Sequence, residues 1–121
     1  MKENLFGVVI EVENIVAARA FYRDILQLGD PVMDSNFWVE FRLPDGFSLF
    51  LKKVYSSKKH TRGKNSVSWI YRVRNIGEII SRLELYGYGE IYEKSEEMGE
   101  PVYMFKDPEG NVFHLIPSPE I

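Results

Sequence analysis

The sequence predicts an α+β domain made of two successive halves, each running strand, helix, strand, strand, strand. Three observations predict it. Two alternating, strand-like runs each end at an asparagine that opens a helical pattern. Two hairpin signals built on proline and glycine follow further along. Both pairs recur in the same order, and such internal self-similarity marks a repeated supersecondary unit.

The first strand is Leu5 to Asn14. Val8, Ile10 and Val12 fall on one face, and Gly7, Val9 and Glu11 on the other. Asn14 stands at the N-cap, where its side-chain oxygen can accept from a backbone N–H of the first turn. Ala17, Ala20, Phe21 and Ile25 follow at helical spacing, with Gly29 near the stop and Pro31 beyond it. Pro31 to Ser35 and Asn36 to Leu43 read as the next two strands. Phe41-Arg42-Leu43-Pro44-Asp45-Gly46 then opens a hairpin, proline setting φ and glycine supplying the turn. Ser48 to Lys52 completes the half.

The second half repeats the plan. In Ser68 to Asn75, Trp69, Tyr71 and Val73 alternate against Ser68, Ile70 and Arg72. Asn75 is again the cap, and Glu78 completes a capping-box pattern. Ile76, Ile79, Ile80, Leu83 and Tyr86 form the apolar helical set, and Gly87 is the C′ residue. Tyr88 to Lys94 and Pro101 to Lys106 read as strands. Phe105-Lys106-Asp107-Pro108-Glu109-Gly110 repeats the hairpin signal, and Val112 to Ile116 closes the chain's last strand. The polar stretch 56–66 is the expected linker, between a first module of about 1–55 and a second of about 67–121.

Composition bounds the function. A chain of 121 residues is one domain by length, and a net charge of −3 gives no general attraction to nucleic acid or anionic membranes. There is no cysteine, which excludes disulfides, thiolate metal sites and a cysteine nucleophile. No signal peptide is visible and no apolar run approaches the ~20 residues of a membrane span, so the expected location is cytoplasmic.

The Asn-capped joints, Phe21-Tyr22-Arg23-Asp24-Ile25-Leu26 and Asp107-Pro108-Glu109-Gly110-Asn111, taken in order, resemble the vicinal-oxygen-chelate superfamily (glyoxalase, bleomycin-resistance protein and dioxygenase). The resemblance covers essentially the whole chain. One departure is Gln27, where the family's helix phrase usually carries glycine. The resemblance implies a curved, half-open barrel formed by the two modules, with helices outside and a ligand in the concave face. It also implies a homodimer, often with modules of different chains sharing one site.

In the superfamily four positions, one on the first and one on the last strand of each half, hold a divalent metal through His, Gln or Glu. Carried over residue by residue, they are Gly7, Phe50, Ser68 and His114. Only His114 is a competent ligand, since glycine and phenylalanine offer no donor and a neutral serine hydroxyl is a poor one. Glu11, Glu40 and His60 are conceivable displaced ligands, but none has the family spacing. No cofactor is therefore expected.

His114 reads as a hydrogen-bond donor or general acid/base, because an imidazole titrates near neutral pH. Its plain reading is a cavity-lining side chain. Glu11 and Arg72 occupy matching places on the first strands of the halves. They read either as an ion pair between modules or as a base and a bidentate anion clamp. Phe50, Trp38 and Tyr103 are candidate aromatic walls for a flat or cationic ligand, or ordinary strand packing. The basic residues Lys52, Lys53, Lys58, Lys59, Arg62 and Lys64, set against Glu93, Glu96, Glu97 and Glu100, read as solvated loops or as complementary surfaces of a dimer.

The expectation is a metal-independent small-molecule-binding protein similar to the bleomycin-resistance branch, with Ser68, His114, Phe50, Arg72, Glu11 and Trp38 about the ligand. The alternative is a metal-dependent lyase, isomerase, dioxygenase or thiol transferase of the same superfamily. A third reading is a metal-free enzyme using His114 and Glu11 as acid and base.

Overall fold

The computed structural model describes residues 5–55, 68–91, 93–97 and 99–118, with the side chains of 93, 94 and 97 left aside. The expected linker 56–66, with His60 and the basic residues from Lys58 to Lys64, lies outside them. The chain divides into two compact units, Met1–Thr61 and Arg62–Ile121.

In the first unit, β1 (Gly7–Val12) leads into α1 (Ile15–Ala20) and a π-helical turn, Phe21–Ile25. Then come β2 (Met33–Asp34), β3 (Trp38–Arg42) and β4 (Ser48–Lys53). The sheet order is β1-β4-β3-β2, with β1 parallel to β4 and the remaining pairs antiparallel. Asn14 caps α1 as expected, its Oδ1 accepting from the Ala17 N–H at 3.0 Å. Val12, Val39, Phe41 and Leu51 are fully buried beneath the helical segment, whose Tyr22 ring meets Phe41 at 6.4 Å. The π-helical turn ends with the Leu26 N–H on the Phe21 carbonyl. Gln27 follows at φ 57, a left-handed conformation that costs a side-chain-bearing residue and suits glycine.

The second unit repeats this topology. β5 (Trp69–Val73), α2 (Ile76–Leu85), β6 (Glu93–Glu97), β7 (Glu100–Lys106) and β8 (Val112–Pro117) form a sheet of order β5-β8-β7-β6. β5 and β8 are parallel. Its core is Val73, Phe105, Phe113 and Leu115 with Ile79 and Leu83 of α2. Phe113 stacks between Trp69 (5.0 Å) and Phe105 (5.8 Å). The matched hairpins fold alike. The Gly46 N–H bonds to the Leu43 carbonyl, and the Gly110 N–H to the Asp107 carbonyl, each at 2.9 Å. Asp107, 4% exposed, adds acceptance from the Glu109 and Asn111 N–H groups.

Four local expectations change. The strand read at Tyr88 to Lys94 begins only at Glu93. Gly87 turns left-handed at φ 86 and the Tyr88 N–H returns to the Leu83 carbonyl, so the chain is still closing α2 there. β2 shrinks to Met33–Asp34. The Asn75 side chain makes no cap hydrogen bond, so the capping box does not close; the Asn75 carbonyl instead accepts from Ile79. Tyr103 pairs in register with Leu115 and so shares the face of Phe105 and Phe113, away from His114. No helix among the described residues is long and apolar enough to cross a membrane.

Candidate functional site

Strand alternation puts the sequence-selected residues on the sheet faces that the helices leave uncovered. In the first unit the register aligns Gly7 with Ser48, Val9 with Phe50 and Glu11 with Lys52. Across the hairpin it aligns Phe50 with Glu40 and Lys52 with Trp38. One face therefore carries Gly7, Val9 and Glu11 beside Ser48 and Phe50, then Trp38, Glu40 and Arg42. Phe50 is its centre. The ring is 8% exposed, with Trp38 at 5.2 Å and Phe6 at 5.7 Å. Gly7 lies directly beneath. A Cβ there would collide with the Ser48 carbonyl oxygen and sit 3.0 Å from the Phe50 ring. Position 7 thus has no room for a metal-binding side chain in the present packing, and the space beside it is filled by a benzyl group.

Glu40 is the residue of this face that the sequence undervalued, having suggested it only as a displaced metal ligand. It is buried, its Oε2 accepting from Ser48 Oγ at 2.6 Å and from the Arg42 guanidinium at 3.1 Å. The Ser48 hydroxyl, aided by Arg42, holds the carboxyl below its ordinary value of 4.5 although burial acts the other way. The alternation Trp38, Glu40, Arg42 was the available signal. What it lacked was the cross-strand register that brings Ser48 to the carboxylate.

In the second unit Ser68 precedes β5 and His114 lies on β8. Parallel pairing aligns Ile70 with His114, and β7 brings Met104 to its other side. Ser68 Oγ lies 3.1 Å from His114 Nδ1. The ring tautomer sets the direction: with the proton on Nε2 the hydroxyl donates to Nδ1, and with it on Nδ1 the hydroxyl oxygen accepts. Arg72 shares this face by alternation but is committed. Its two terminal nitrogens contact the Glu100 carboxylate at 2.7 and 3.3 Å, a pairing within the second module that the sequence had not suggested. Glu100 holds the guanidinium's pKa up, and Arg72 in turn holds that of Glu100 down.

The structure thus joins Gly7 to Phe50 and Ser68 to His114, and adds Trp38, Glu40 and Ser48 to the first pair. Few of these positions offer a ligand atom to a metal. Gly7 and Phe50 supply no ligand atom, and the Ser68 hydroxyl is engaged with His114. Among the described residues no group of three or more His, Asp or Glu side chains is placed to hold an ion.

No protein-family model and no curated protein matches the chain. Solved structures do. Lactoylglutathione lyase from Agrobacterium tumefaciens superposes with a TM-score of 0.72 at 16% identity, over 98% of this chain and 96% of that one. A glyoxylase/bleomycin resistance protein/dioxygenase domain from Frankia sp. EAN1pec gives 0.74 at 13%, over 98% and 100%. Oxidase ChaP-H2 gives 0.68 at 21%, over 98% and 96%. The fold is that of the glyoxalase/bleomycin-resistance/dioxygenase proteins, as the resemblance in the sequence implied.

Proposed function

We propose that this protein binds a small molecule in the manner of the bleomycin-resistance type, against the aromatic face of its first module, and needs no metal to do so. The observation that carries the reading is the Gly7–Phe50 pair. One position of the superfamily's ligand set has no space for a side chain, and the other holds a buried ring at the centre of an aromatic cluster. Trp38 and Phe6 extend that cluster and offer apolar area to a flat ligand, worth about 25 cal/mol for each Å² removed from water. A few fixed polar groups on such a surface give orientation.

Protein purified without chelator should carry substoichiometric metal, and aromatic small molecules should raise its apparent melting temperature in EDTA. Stoichiometric nickel, zinc, iron or manganese would turn the assignment to the metal-dependent lyase, isomerase, dioxygenase or thiol-transferase alternative. The Ser68–His114 contact favours a second reading, a metal-free enzyme in which His114 moves a proton. It requires that His114→Ala abolish turnover while leaving ligand affinity intact. We hold the homodimer as part of the proposal; sedimentation equilibrium giving a monomer at micromolar concentration would remove it.

A further inference from the structure

The aromatic face of the first module contains one deeply placed charge. Glu40 is 7% exposed, opposite Phe50 in register and on the same side of β3 as Trp38. Its two oxygens differ. Oε2 takes both described hydrogen bonds, from Ser48 and Arg42, and among the described residues no hydrogen bond ends at Oε1. Two donors on one oxygen lock the carboxylate's orientation while the other oxygen keeps its acceptor capacity.

The rings beside it have the matching preference. The negative faces of indole and phenyl rings attract cations, and the attraction grows as water is removed. A protonated amine on an apolar body would place its charge at Glu40 and its body on Phe50 and Trp38. Apart from Glu40, the face carries Glu11, Lys52 and Arg42. Lys52 and Glu11 are register partners further along the strands, and Arg42 is 53% exposed. Arg42 pairs with Glu40 through Oε2 alone and from the solvent side, so water screens its charge more than that of the buried carboxylate, whose Oε1 it leaves open.

We infer that Glu40, acting with Trp38 and Phe50, makes this face selective for organic cations, in particular protonated amines carrying an aromatic or apolar body. The inference rests on the proposed binding function and deepens it by naming the ligand class.

The test uses three probes of matched size: phenethylamine, 2-phenylethanol and phenylacetate, which are cationic, neutral and anionic at pH 7. Binding to the whole chain is followed by NMR at the Trp38 indole N–H, distinguished from Trp69, the other tryptophan, by Trp38→Phe. Phenethylamine is expected to bind roughly tenfold tighter than 2-phenylethanol, the difference a charge-assisted hydrogen bond makes. Phenylacetate should be the weakest. Glu40→Gln should bring amine and alcohol to within about twofold while preserving the alcohol's affinity. Alcohol or phenylacetate binding as tightly as the amine overturns the inference, as does Glu40→Gln keeping the amine's advantage, while the binding function stands. If none of the three shifts Trp38, the binding reading itself is overturned and the inference with it. Should Glu40→Gln fail to fold, the comparison of the three probes on the wild-type protein still decides.

Discussion

Gly7→Ala puts opposing physical effects in direct competition. In an ordinary strand, alanine is better than glycine by roughly 0.5–1 kcal/mol, because glycine loses more backbone freedom on folding. At position 7 the new methyl would meet backbone on one side and a buried ring on the other. It would overlap the Ser48 carbonyl oxygen and sit 3.0 Å from Phe50, so β1 would have to part from β4. That movement strains the hydrogen bond from the Ser48 N–H to the Phe6 carbonyl, 2.9 Å long. Overpacking costs about 1–3 kcal/mol, and a backbone obstacle places this case in the upper part of the range. Less the propensity gain, the expected loss is roughly 1–2 kcal/mol. Urea unfolding should show a lower midpoint with an unchanged slope. Gly77→Ala is the control. Gly77 lies in α2 with nothing within 4 Å of the added methyl, so the substitution should stabilise by about 0.5–1 kcal/mol. Were Gly7→Ala neutral or stabilising, the account of position 7 as sterically closed would be wrong.

Further outcomes follow from the same packing. Gln27→Gly should stabilise by about 1 kcal/mol, since φ 57 strains glutamine, and a loss in thermal denaturation would contradict it. Ser48→Ala should cost about 1.5–3 kcal/mol at neutral pH by removing a charge-assisted hydrogen bond. Because folding depresses the Glu40 pKa, that contribution is fully present above 4.5 and is lost as pH falls through the lower folded value. The wild-type and Ser48→Ala stability curves should therefore converge in acid, and curves that stay parallel would refute the linkage. Phe113→Ala should cost about 3–5 kcal/mol in urea unfolding by emptying a site stacked between two rings.

Much of the fold was legible because it depends on local periodicity. The two Asn joints and two Pro-x-Gly turns give the repeat, and both sheets adopt the same strand order. The misreadings occur where tertiary contacts override propensity. Tyr88 to Ile91 has strand-like residues, yet the left-handed Gly87 folds the segment back onto the end of α2. Tyr103 could have been placed from the sequence, because it lies two residues from the core residue Phe105 and must share its face.

The site was legible only in part for a similar reason. Gly7 and Phe50 were visible as poor metal positions from residue type alone. The collision that closes position 7 needs the parallel register of β1 and β4. Glu40 looks like a surface residue in one dimension, and only the hairpin register reveals that Ser48 sits against it. Ser68 and His114 are far apart in the chain, and β5–β8 pairing makes them neighbours.

The most direct measurement is a calorimetric titration of phenethylamine into protein stripped with EDTA, repeated after reloading with zinc, nickel, iron or manganese. One dissociation constant, unchanged across the series and weakened by Phe50→Ala, is the predicted result. Binding that appears only after a metal is restored would contradict the account.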